Sequence, residues 1–144
     1  MAIPFQVTFD CADPDRLADF WAGVLGYKKQ DPPAGYDTWP AFLAAQGVPE
    51  ELWDTRSAII DPEGRGSRIF FQRVPESKTV KNRVHLDVRV SGGPSVPIEE
   101  RRARVAAAVT RVVELRATRV RAFDEDGEHF VVMRDPEGNE FCLQ

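Results

Sequence analysis

From Gln6 to Cys11 apolar and polar residues alternate, the two-residue period of a half-buried strand. The period then lengthens. Leu17, Phe20, Trp21, Val24 and Leu25 fall three and four apart, one stripe along a helix. Asp13-Pro14 supplies its start, with Asp as cap and Pro in the first turn, and Gly26 supplies its stop. The apolar run Ala58-Ile59-Ile60 and the alternating stretch Arg68–Gln72 predict two strands on either side of Asp61-Pro62-Glu63-Gly64. The same order returns downstream. Arg83–Val90 alternates strictly, Ser91-Gly92-Gly93-Pro94 reads as a loop, and a helix is predicted from about Ile98 to Leu115, with Val105, Val109 and Val112 on its inner stripe. Strands are predicted around Arg119–Phe123, His129–Arg134 and Glu140–Gln144.

The turn Asp61-Pro62-Glu63-Gly64 recurs word for word as Asp135-Pro136-Glu137-Gly138, in matching flanks. Proline presets φ and glycine accepts a positive one, so each copy reads as a tight turn between strands. The chain is therefore expected to be an α+β protein of two β-α-β-β-β modules, one over residues 1–75 and the other over 82–144. Residues 37–56 have no downstream counterpart and form an insertion, with short helical stretches at Trp39–Gly47 and Val48–Trp53.

Composition narrows the classes. At 144 residues with 42% hydrophobic and 29% charged residues, a real core needs no disulfides. No apolar run is long enough to span a membrane, and the first residues, Met-Ala-Ile-Pro-Phe, lack the features of a signal peptide. Cys11 and Cys142 make neither a disulfide framework nor a zinc-binding pattern, which suits a reducing cytoplasm. A net charge of −4 argues against nucleic-acid partners, and Glu99, Glu100 and Glu114 interrupt the arginines of the second helix.

The stretch 13–27 (Asp-Pro-Asp-Arg-Leu-Ala-Asp-Phe-Trp-Ala-Gly-Val-Leu-Gly-Tyr), His85 on the fifth strand, and Asp-Pro-Glu-Gly-Asn-Glu-Phe at 135–141 resemble the vicinal oxygen chelate superfamily. That superfamily comprises glyoxalase I, bleomycin-resistance proteins and extradiol dioxygenases. Residues 71–76, Lys78, Lys81-Asn82-Arg83, His85-Leu86-Asp87 and 139–143 are similar to its glyoxalase-like branch. The resemblance implies modules whose strands form a curved mixed sheet around a shared cavity, and a homodimer.

Strand alternation sorts the candidate site residues. With Val7, Phe9 and Cys11, Ile69 and Phe71, Val84, Leu86, Val88 and Val90, and Phe141 and Leu143 turned to the core, the opposite face carries the rest. These are Gln6, Thr8 and Asp10, then Arg68, Phe70 and Gln72, then Arg83, His85, Asp87 and Arg89, then Glu140, Cys142 and Gln144. Gln6, Thr8, Phe70, Gln72, Arg83, His85 and Cys142, with Trp39 and Trp53 from the insertion, are the expected ligand-binding residues. In metal-using members of the superfamily four strand positions hold a divalent ion, and the resemblance puts Gln6, Phe70, His85 and Cys142 there. Phenylalanine has no donor atom and thiolate is soft, so no metal cofactor is expected; His85 and Glu140 are the ligands if a divalent metal is held. His85 is also the candidate general base, against a plain strand-anchoring bond to Asp10 or Asp87. Arg83 with Asp87, and Arg68 with Glu140, are candidate internal ion pairs. The expected function is metal-free binding of an aromatic or amphipathic small molecule. The alternative is a glyoxalase-like lyase, isomerase or dioxygenase using His85 as metal ligand or general base.

Overall fold

The computed structural model describes residues 1–144. It divides into two compact units, Met1–Ser77 and Lys78–Gln144. The first holds β1 (Val7–Cys11), α1 (Pro14–Leu25), β2 (Lys28–Lys29), α2 (Trp39–Ala45), a 3₁₀ turn at Glu50–Leu52, β3 (Arg56–Ile60) and β4 (Ile69–Arg73). The second holds β5 (Asp87–Val88), α3 (Ile98–Glu114), β6 (Thr118–Glu125), β7 (Glu128–Arg134) and β8 (Glu140–Leu143). The expected duplication is present in the topology: β1-β4-β3-β2 in one sheet and β5-β8-β7-β6 in the other. In each, the first strand lies parallel to the last, and the other pairings are antiparallel.

The curved sheet around a shared cavity is not what forms. Hydrogen bonding divides the strands into two open four-stranded sheets, neither closed nor strongly curled. Each has a two-residue strand at one edge, β2 or β5, and the two edges of a sheet do not pair with each other. Closure requires tilted, staggered strands that bond all the way round. Alternation along single strands determines their faces and leaves closure undetermined.

In the first unit the Asp13 carboxylate accepts from Arg16 N–H, Pro14 opens α1, and Gly26 ends it at φ 70°. Leu17, Phe20, Trp21 and Val24 are buried on its inner stripe, over Ile59, Ile69 and Phe71. Phe9 links them, with ring centroids 5.3 Å from Trp21 and 5.5 Å from Phe71. In the second unit α3 buries Val105, Ala108 and Val112 on the face of the sheet that carries Val131, Met133 and Phe141. The opposite face of each sheet carries the polar set together with apolar residues, Phe70, Ala58 and Ile60 in the first unit and Phe123, Phe130 and Val132 in the second. The strand expected over 83–90 shrinks to Asp87–Val88, and Val84, assigned to the core, is 80% exposed. The reason is pairing. An edge strand needs one neighbour, and β8 offers only Cys142 and Leu143 to it.

Candidate functional site

Three donor side chains converge in the second unit. His85 and Asp87 are two residues apart in extended chain and so share a face, while Asp87 lies beside Cys142 in the parallel β5–β8 register. The Cys142 N–H donates to the Leu86 carbonyl at 2.9 Å, which fixes this alignment. The ligand atoms of His85, Asp87 and Cys142 all lie within 4.8 Å of one another, with His85 Nε2 3.4 Å from Asp87 Oδ1. The imidazole and carboxylate are open to solvent, and the thiol is buried. Burial, the Asp87 charge and a hydrogen bond from the thiol to Asp87 push Cys142 up to about 11, so the thiol is protonated at neutral pH. A protonated, buried thiol is a poor nucleophile.

The set is nonetheless capable of coordinating a metal ion. Imidazole, carboxylate and thiolate are the ligand types of zinc, and three protein ligands with a free fourth position is the pattern of catalytic sites. Bond lengths of roughly 2.0–2.3 Å in a tetrahedron space the ligand atoms about 3.5 Å apart. The His85–Asp87 separation already matches, and the sulfur has a short way to close.

The same sheet face continues away from the donors as an apolar strip. Cys142 pairs with Val132, and two positions along β7 Phe130 stacks on Phe123, with centroids 4.9 Å apart. Arg121 lies over Phe123 at 4.6 Å.

Glu140, the other candidate ligand, is turned elsewhere. Its carboxylate accepts from Asn82 N–H at 3.0 Å and pairs with Lys78 Nζ at 3.1 Å. Burial alone pushes it up, but those two donors more than offset this and hold it at about 2. Glu140 thus fastens the segment leading into His85. Arg83 is exposed and forms no ion pair with Asp87, whose neighbours are His85 and Cys142.

The remaining expected residues stand in the first unit. Gln6, Thr8, Phe70 and Gln72 share the uncovered sheet face, where Thr8 is paired with Phe70. Arg68 bonds Gln6 and Gln30 rather than Glu140. Trp39 and Trp53 each donate their indole N–H to a backbone carbonyl, Gln30 at 2.8 Å and Val48 at 2.9 Å, which pins the insertion. His129 lies at the side of the sheet facing α3, 3.0 Å from Asp124, which Arg102 of that helix also holds. Asp87 was expected only on the shared face and as a possible partner of His85, and Phe123 and Phe130 were not expected at the site. The signal for Asp87 was its two-residue spacing from His85; the phenylalanines gave none until β6 and β7 were in register.

A glyoxalase-like domain family model matches residues 6–144. Among curated proteins none matches the sequence. Solved structures share the fold at low identity. A glyoxalase/bleomycin resistance protein/dioxygenase family enzyme from Burkholderia phytofirmans is 15% identical, with 96% of this chain and 94% of that one covered and a TM-score of 0.60. TioX from Micromonospora is 19% identical over 99% of this chain and 97% of its own, with a TM-score of 0.53. A mutant of the fosfomycin resistance protein FosX from Listeria monocytogenes, complexed with Mn(II) and 1S,2S-dihydroxypropylphosphonic acid, is 10% identical over 100% and 90%, with a TM-score of 0.62. With the duplicated module, the parallel first and last strands of each sheet and a family match spanning nearly its whole length, the chain belongs to the glyoxalase-like domain family of the vicinal oxygen chelate superfamily.

Proposed function

We propose that the protein is a glyoxalase-like enzyme, of lyase, isomerase or dioxygenase type, acting on a small organic molecule at the His85–Asp87–Cys142 cluster. The observation that carries this reading is the convergence of three different donors on one sheet face. It favours the enzymatic alternative over metal-free binding. His85, Asp87 and Cys142 would hold the metal, with zinc suiting a site that contains a thiol better than manganese or iron. A divalent ion bound there supplies Lewis-acid polarisation of a substrate oxygen.

The chain's own groups do the rest. Glu140 restrains the approach to His85, and Val132, Phe130 and Phe123 offer an apolar bed to the substrate's body. Without a metal, the same His85–Asp87 pair is the arrangement of an oriented general base, the second reading that the 3.4 Å separation supports. The superfamily extends the proposal to a homodimer, measurable by sedimentation, and the two free thiols suit a reducing cytoplasm.

The test is metal analysis of protein purified without chelator, followed by turnover of small carbonyl and diol compounds by wild type and His85→Ala. About one divalent ion per chain, and turnover lost in a folded variant, is the expected result. Turnover without metal that still needs His85 selects the general base, and turnover indifferent to His85 overturns both readings.

A further inference from the structure

On the sheet face of the first unit that α1 leaves uncovered, Arg68 is a fixed cation with no counter-charge. Its Nε donates to Gln30 Oε1 at 2.7 Å and its Nη1 to Gln6 Oε1 at 2.9 Å. These two amides come from beyond opposite edges of the sheet, Gln6 just before β1 and Gln30 just after β2. Both are neutral, so they aim the guanidinium without discharging it. Four carboxylates of this unit are engaged elsewhere: Asp10 with Gln72, Asp31 with Lys28, Asp54 with Arg73, and Asp61 with the N–H groups of Glu63, Arg65 and Gly66.

A guanidinium has five N–H donors in one plane. With one on Nε and one on Nη1 taken, both on Nη2 are left, beside a second N–H on Nη1. That edge matches the two oxygens of a carboxylate. The group is also only half-buried, so the edge can be reached. Its Cζ sits 5.2 Å from the Phe70 ring centroid, which further restricts its orientation. Phe70 in turn is paired with Ala58, and Ile60 is the next residue of β3 on the same face. Arg56, exposed and without an ion pair, adds a second positive charge to that face.

We propose that this face of the first unit binds a small organic carboxylate, its oxygens on Arg68 and its apolar body against Phe70, Ala58 and Ile60. This site belongs to the first unit and does not rest on the enzymatic reading of the second. Because Gln6 and Gln30 hold the guanidinium before the ligand arrives, little further ordering is needed on binding.

The probe is benzoate, titrated into the full-length protein and followed by nitrogen–proton NMR, with neutral benzamide as the matched control. Saturable shifts are expected at Arg68 Nε–H and at the Gln6 and Gln30 side-chain amides. Arg68→Met should weaken benzoate about tenfold or more, the loss expected for hydrogen bonds to a charged group. Arg68→Lys, which keeps the charge and loses the fork, should lose most of that affinity. Benzamide should bind at least about tenfold more weakly than benzoate to the unaltered protein, a comparison that needs no variant. Equal binding of the two probes, unchanged binding in folded Arg68→Met, or shifts that do not saturate would overturn the proposal.

Discussion

Glu140→Gln tests whether the carboxylate really restrains the segment before His85. The side chain is 11% exposed and holds Lys78 Nζ at 3.1 Å and Asn82 N–H at 3.0 Å. Its depression from the ordinary 4.5 to about 2 sets a ceiling of about 3 kcal/mol on the pH-dependent stabilisation. Lys78, at 21% exposed, keeps partial contact with water, which trims the expected loss to about 2 kcal/mol at pH 7. The sign follows from the direction. A carboxylate held low in the folded state stabilises above its ordinary value, and that contribution disappears as pH falls from about 4.5 toward about 2. Urea denaturation of wild type and variant at pH 7 and pH 3 is the assay. The gap between them should shrink to less than half at the lower pH. Hydrogen exchange at the Asn82 amide should rise in Glu140→Ala and much less in Glu140→Gln, which keeps an acceptor. An equal gap at both pH values, or no loss at pH 7, would refute the reasoning.

Three further outcomes are expected. Phe71→Ala removes a fully buried ring stacked on Phe9 and should cost about 3–5 kcal/mol by denaturation. Asp13→Ala removes the side-chain acceptor for Arg16 N–H at the start of α1 and should cost about 1 kcal/mol, with Asp13→Ser recovering most of it. Cys142, buried and pushed up to about 11, should resist iodoacetamide at pH 7 in metal-free folded protein and react on unfolding, as mass spectrometry of the modified peptide would show.

Much of the fold was legible because its signals are local. The stripe Leu17–Phe20–Trp21–Val24, the Asp13 cap and the Gly26 stop specify α1 within a dozen residues, and the repeated Asp-Pro-Glu-Gly turns mark matching places in both sheets. Alternation likewise placed Phe70 and Gln72 opposite Ile69 and Phe71. It failed at residues 83–90, where Val84 has the pattern of a buried strand residue and is exposed, because strand formation depends on a neighbour that alternation does not reveal. The curved shared sheet failed for a related reason, since closure is a property of edge pairing.

The site was half legible. His85 and Cys142 stood out as residue types and the two-residue spacing places Asp87 beside His85, but only the register of β5 on β8 brings that pair to Cys142, and Glu140 leaves them because Asn82 and Lys78 claim it. Register is set by pairing between distant segments, so neither fact is written in the spacing of either strand.

The central claim is that His85, Asp87 and Cys142 form one metal-binding unit. Titration of metal-free protein with Co(II), followed by absorption spectroscopy, tests it most directly, because a thiolate bound to cobalt has its own charge-transfer band. The band should grow to about one equivalent in wild type, be lost in Cys142→Ser, and weaken in His85→Ala and Asp87→Asn, with all three variants folded. Cobalt binding without the thiolate band, or a band indifferent to His85 and Asp87, would contradict the account.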